Sequence, residues 1–298
     1  MKKAITRRNS LSYLPLGLIA LIVPASRAIA KEVEADGEHA QRWLSLPATP
    51  KLPKPFRQGI AQINHAAIFF AQYGSGPSLL LLHGGLANSA YWGHQIENLS
   101  RDFLVTVMDT RGHGRSTFIP GRLSYEIFAN DVVALMDFLE ISRSAVVGWS
   151  DGGITGLQLV LTKPDRLSGL FAFGVNSNLA GLKAGGAKTG AFPSFRSRCR
   201  KEYLDLSPEP HRWSQLEQAL AAMWRSEPNF SGTELGTIKL PVTIADGDHD
   251  EIIKSEHTRQ IAASIGGARL VFLPKVSHFA MLQDPSGFNA ALRAFIKA

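Results

Sequence analysis

The sequence predicts an α/β fold, with a mostly parallel central sheet, helices on both faces, and a small helical cap inserted late in the chain. Three observations predict it. Six short apolar runs, at 79–82, 103–108, 145–147, 170–173, 242–245 and 270–273, have the length and composition of buried parallel strands. Amphipathic stretches of helical periodicity lie between several of them. One long segment, 176–236, carries no strand pattern and breaks the alternation. The bulk composition agrees: 298 residues with 45% hydrophobic and 19% charged side chains describe a globular chain and exclude a disordered or fibrous one.

Taken in order, the first thirty residues read as an address label. Lys2, Lys3, Arg7 and Arg8 form a positive start, an apolar stretch runs from Leu11 to Val23, and Ala28-Ile29-Ala30 supplies a small-x-small cleavage site. Residues 1–30 are therefore expected to be a cleavable export signal, cut after Ala30, that delivers a periplasmic or secreted protein. Thr6 to Leu11 (TRRNSL) resembles a twin-arginine signal, although Ser10 stands where that pattern prefers Phe. Pro15 and Gly17 break an apolar stretch already too short for a stable membrane span. The label also holds five basic residues and no acid, so its removal takes the formal charge from +7 to +2. A body that nearly neutral offers no phosphate-binding face, and nucleic-acid binding is not expected.

Residues 31–58, with Pro47, Pro50, Pro53 and Pro55, read as a Pro-rich tether or irregular wrap. Residues 59–72 read as a hairpin turning at Asn64-His65. The stretch Tyr125–Leu139 places Ile127, Phe128, Val132, Leu135, Met136 and Leu139 on one side of a helix, and residues 285–297 form the final helix. The segment 176–236 is rich in Gly and Pro but has helical periodicity at Trp213–Trp224. As a helical cap it would lie over the C-terminal ends of the strands, where open α/β sheets bind ligands, and leave 59–175 and 237–298 as the core. Cys199 is the single cysteine, so no internal disulfide can form, and it sits in no recognisable motif.

The informative string is VVGWSDGG, residues 146–153, in which Gly148-x-Ser150-x-Gly152 falls between an apolar strand and a helix-compatible run. A serine at such a turn is forced into a strained conformation that holds its hydroxyl outward, and flanking glycines remove the clashes. Ser150 is the expected nucleophile. Its base must come from a histidine at the same sheet edge. His39 lies in the tether and His65 in the hairpin turn, while His83 and His113 suit loop shaping. His278, after the last apolar run and before the final helix, is the expected base. The orienting acid belongs between them, where VTIADGDHDE offers Asp246, Asp248 and Asp250. Position gives Asp250 only a modest edge. The oxyanion hole needs two backbone N–H groups: Asp151 after the nucleophile, and Gly85 or its neighbour Leu86 in the loop after the 79–82 strand. Trp149 and Asp151, on either side of the serine, are the candidate substrate contacts.

HGGLANSAYW, MDTRGHGRST, VVGWSDGG, DGDHDEII and VSHFAMLQDP, in that order, resemble the α/β-hydrolase superfamily over about residues 59–298. GWSDGGITGLQLV is especially similar to the biphenyl-hydrolase-like (valacyclovir hydrolase) branch. The resemblance implies an α/β-hydrolase fold and a triad of Ser150, Asp250 and His278, with Gly247-x-x-Asp250 selecting among the acids. It implies oxyanion amides at Gly85 and Asp151. In that branch the acid after the nucleophile binds the amino group of amino-acid esters; the bland use of Asp151 is to favour the N-terminus of its own helix.

The expected function is hydrolysis of small carboxylic esters or lactones through an acyl-enzyme, with a small-molecule substrate and without cofactor or metal. His249 and His257 near Asp248 and Asp250 make no convincing ligand set. The serine argues against the dehalogenases and epoxide hydrolases of this fold, which use an aspartate nucleophile. Hydrolysis of carbon–carbon bonds in ring-cleavage products, or ligand sensing with slow turnover, are the competing expectations.

Overall fold

The structure is a computed structural model that describes residues 41–297. The expected export signal and residues 31–40 of the Pro-rich segment, His39 included, lie outside the described residues.

Eight strands form one sheet in the order β1-β2-β4-β3-β5-β6-β7-β8. β1 (Arg57–Ile63) and β2 (Ala66–Tyr73) are the hairpin, and β2 also pairs antiparallel with β4 (Leu104–Met108). Asn64 and His65 both take positive φ, 45° and 64°, the pattern of the two-residue turn whose twist suits paired strands. From β4 onward every pairing is parallel, through β3 (Ser78–Leu82), β5 (Ser144–Trp149), β6 (Leu167–Phe173), β7 (Val242–Gly247) and β8 (Arg269–Leu273). The central runs SLLLL and VTIADG are buried almost end to end, as strands covered on both faces require.

The helices follow the apolar periodicity. α1 (Gly93–Leu99) follows β3. α2 (Tyr125–Phe138) is capped by Ser124, whose hydroxyl accepts from Ile127 N at 3.1 Å, and it buries Phe128, Val132, Leu135 and Met136. α3 (Asp151–Thr162) starts directly at Ser150 and packs between β5 and β6. The 176–236 segment holds no strand; it contains α4 (Phe192–Leu206), α5 (Trp213–Trp224) and α6 (Gly232–Leu235) with short 3-10 turns. The periodicity of α5 was legible, and its stripe of Trp213, Leu216, Leu220 and Met223 is buried. α4 buries only Phe195, Cys199 and Tyr203 among charged neighbours, too thin a stripe to be recognised in sequence. α7 (Ser255–Ser264) links β7 to β8, and α8 (Ala280–Gln283) and α9 (Pro285–Ile296) close the chain. No helix among the described residues is long and apolar enough to cross a membrane.

Residues 41–56 take the form of a pinned wrap. Arg42 Nε donates to Lys275 O at 2.8 Å and Gln283 Nε2 to Ser45 O at 2.8 Å, while Arg198 Nη2 on α4 donates to Leu46 O at 2.7 Å. Trp43 stacks on His249 with ring centroids 3.9 Å apart. Prolines remove main-chain donors but leave carbonyls free, and this segment is tied down largely through its carbonyls.

Candidate active site

Three strand ends and the loops they feed build the site. At the end of β5 the chain reverses into α3 within one residue, leaving Ser150 at φ 53° and ψ −121°. Ser150 N donates to Phe173 O on β6 at 2.8 Å, and its carbonyl accepts from Ile154 N at 2.9 Å, so the strained residue is held from both sides. Such a turn leaves no room for side chains beside it. A Cβ at Gly148 would collide with the main chain of Gly152, and one at Gly152 with the carbonyls of Leu82 and His83.

β7 and β8 supply the other half. Main-chain bonds tie their loops together, Asp248 N to Leu273 O at 3.0 Å and His249 N to Val276 O at 3.0 Å. Asp250 and His278 are thereby brought face to face, with Nδ1 of the imidazole 2.6 Å from Asp250 Oδ2. The other Asp250 oxygen accepts from Ile252 N at 2.6 Å and Ile253 N at 2.8 Å, which fixes the carboxylate plane. Both side chains are buried, as is Glu251, whose Oε2 accepts from His278 N at 3.2 Å. Burial by itself would raise the Asp250 carboxyl, but the His278 charge and the hydrogen bonds to it outweigh that and hold it below the usual carboxylate range. Burial would likewise lower the His278 imidazole, and Asp250 outweighs it, so the imidazole lies above its ordinary value.

The structure separates the three sequence candidates for the acid. Asp246 stands one residue before the end of β7, fully buried, and accepts from Thr258 Oγ1 at 2.7 Å; Asp248 lies 3.8 Å from His249 Nε2; of the three, Asp250 reaches His278. His83 and His113 shape loops. His83 Nε2 accepts from Thr110 N at 3.0 Å, which puts its proton on Nδ1, 2.8 Å from Gly84 O. His113 Nδ1 lies 3.0 Å from Arg111 O, and burial pushes its imidazole down to about 3. Cys199 is buried against Tyr91 Oη at 3.6 Å, and burial pushes its thiol up, away from reactivity.

Ser150, His278, Trp149, Gly85 and Asp151 line one cavity of about 310 Å³, covered by Phe192, Phe195 and Trp224 of the cap. Its size is that of a small-ligand pocket. The Trp149 ring lies 5.9 Å from that of His278. Of the two oxyanion candidates, Gly85 lines the cavity, whereas the Leu86 side chain is buried at φ 65°. A Cβ at Gly85 would meet the Asp151 carboxylate and the Trp224 ring.

Asp151 stands in the first turn of α3, where an acid favours the helix N-terminus, and its side chain has a further use. Its carboxylate turns to the cavity, where it accepts from Tyr125 Oη at 2.8 Å and from Trp224 Nε1 at 2.9 Å. Burial outweighs these bonds and pushes the carboxyl up to about 6. Tyr125 was not singled out in the sequence, because a Tyr opening an amphipathic helix looks like core. Trp224 was read as an apolar cap residue, and its indole donor is spent on Asp151.

A family model described as the alpha/beta hydrolase fold matches residues 77–184, the stretch carrying the β3 loop and the Ser150 turn. The pimeloyl-acyl-carrier-protein methyl ester esterase of Aliivibrio salmonicida (strain LFI1238) is 24% identical over 256 residues, covering 78% of this chain and 96% of its own. The 3-oxoadipate enol-lactonase 2 of Acinetobacter baylyi (strain ATCC 33305 / BD413 / ADP1) is 25% identical over 251 residues, with 78% and 93% covered. The crystal structure of a hydrolase from Pseudomonas aeruginosa PA01 superposes with a TM-score of 0.66 at 26% identity, over 82% of this chain and all of that one. The chain has the α/β-hydrolase fold and is a hydrolase.

Proposed function

We propose that the protein is an exported serine hydrolase of small carboxylic esters or lactones. The observation that carries this reading is the strained Ser150 turn opening onto the same cavity as a buried imidazole whose far nitrogen is 2.6 Å from a carboxylate. Ser150 Oγ attacks the acyl carbon while His278 Nε2 accepts its proton; Asp250 holds the imidazole and supports the imidazolium that forms. The N–H groups of Asp151 and Gly85, with Leu86 as the alternative to Gly85, stabilise the oxyanion, each donor worth about 10²–10³ in rate. His278 returns the proton to the departing alkoxide. Water, deprotonated by the same imidazole, then cleaves the acyl-enzyme and regenerates Ser150. The two relatives named for ester and enol-lactone hydrolysis support an acyl carbon as the point of attack.

Trp149 and Asp151 are the proposed substrate contacts, and Asp151 favours a cationic group over an anionic one by simple Coulomb attraction. Export through cleavage after Ala30 is part of the proposal, and mass spectrometry of the periplasmic form tests it by its first residue.

The activity test is a series of p-nitrophenyl esters from acetate to octanoate, an aminoacyl ester and a small lactone, on wild type and Ser150→Ala. Hydrolysis that drops by about 10⁴ or more in the variant supports the reading. Turnover of a ring-cleavage dienoate with every ester and lactone inert would replace it with carbon–carbon hydrolysis. Tight binding without turnover would make the protein a sensor.

A further inference from the structure

Of the three aspartates around the β7 end, the mechanism uses only Asp250. Asp246 has no exposure at all, and it lies beside a second buried carboxyl, that of Asp250, to which it hydrogen-bonds. Its remaining partners are neutral: Gly247 N reaches Oδ1 at 2.8 Å and Thr258 Oγ1 on α7 reaches Oδ2 at 2.7 Å. Lys183 Nζ donates to the main-chain oxygen of Asp250, away from both carboxyls. Beyond Asp250 stand His278 and Glu251, both held to the Asp250 loop. Two carboxylates in contact and shut away from water cannot both be ionised without a cation between them. The proton stays on the one lacking the imidazole. Burial first, and then the Asp250 charge, keep the Asp246 carboxyl well above the carboxylate range.

We propose that Asp246 is a positioning residue of the Asp250–His278 pair: it remains a neutral acid, hydrogen-bonds to Asp250 from behind, and keeps a single negative charge facing the imidazole. The consequence for the base has a definite sign. A second negative charge there would raise the imidazole further, and His278 would be protonated, and idle as a base, over more of the neutral range. A neutral acid orients Asp250 without that penalty.

This inference rests on the triad reading above, so its test includes a readout that does not depend on turnover. Infrared spectra of the wild-type protein at pH 8, where Asp151 is ionised, should contain a protonated-carboxyl C=O band that Asp246→Asn removes and Asp151→Asn leaves. Asp246→Asn replaces a neutral group with a neutral one. The acid limb of its kcat/KM profile should coincide with that of the wild type, and KM should not change. Asp246→Ala, which leaves Asp250 unsupported, should lower kcat roughly tenfold, the scale of one lost hydrogen bond to a charged group; rescue by Asn then separates positioning from packing. An acid limb displaced to lower pH in Asp246→Asn would mean that a charge had been removed and would overturn the proposal, as would a carboxyl band that survives the substitution. If no substrate is turned over, the triad reading fails while the infrared comparison still decides the state of Asp246.

Discussion

Two buried carboxylates flank the candidate nucleophile, one on the β7–β8 side and one on the α2–cap side, and they end in opposite states. Asp250 is held below the usual carboxylate range, whereas Asp151 is pushed up to about 6. Both are buried, and both accept hydrogen bonds at close range. The difference lies in the partners: Asp250 faces an imidazole, which can carry a positive charge, and Asp151 faces a phenol and an indole, which cannot. Dipoles offset part of a burial penalty, while a full opposite charge reverses it. One side of the site is built to stabilise charge; the other keeps a carboxyl near the boundary between its two forms.

The largest way to break this comparison is to take the charge from the β7–β8 side. Asp250→Asn keeps the shape but cannot accept the Nδ1 proton in the productive tautomer, and kcat on the best ester should fall by about 10⁴. A loss under tenfold would show that Asp250 does not orient the base. The wild-type rate itself should rise with pH through the His278 value, which lies above the ordinary histidine range, since only the neutral imidazole accepts the serine proton.

On the other side the sign is opposite. Asp151 binds its proton more tightly in the folded than in the unfolded chain, so it lowers stability as pH rises from about 4 to about 6, and that loss persists above. Asp151→Asn should therefore stabilise the protein by about 3 kcal/mol at pH 8 and have little effect at pH 4, read from urea midpoints. Equal effects at both pH values would deny Asp151 its raised proton affinity. The smallest change sharpens the contrast. Trp224→Phe keeps the ring over the cavity but removes the donor to Asp151, and should cost about 1 kcal/mol at pH 8, less at pH 5, where the carboxyl carries little charge.

Much of the fold was legible because its signals are local. Strands buried on both faces are apolar throughout, Asn64-His65 marks its turn, and Gly148 and Gly152 stand where no Cβ fits. Ser150 and His278 could be singled out because each closes a recognisable element. The acid could not be fixed in this way: Asp246, Asp248 and Asp250 lie within five residues, and sequence position hardly distinguishes them. What separates them is the path of a different segment, the loop after β8, which brings His278 to Asp250 and leaves Asp246 against Thr258.

The sequence by itself determined the layered architecture and the tight turn at Ser150, since strand length, helical period and backbone strain depend on a few adjacent residues. Only the tertiary structure decided which carboxylates share charge with which partners, that Tyr125 and Trp224 hold Asp151, and that residues 41–56 are bound to the loop that carries His278 and to the cap. Those are contacts between groups far apart in the chain, and the burial that sets their energies exists only once the whole core has closed around them.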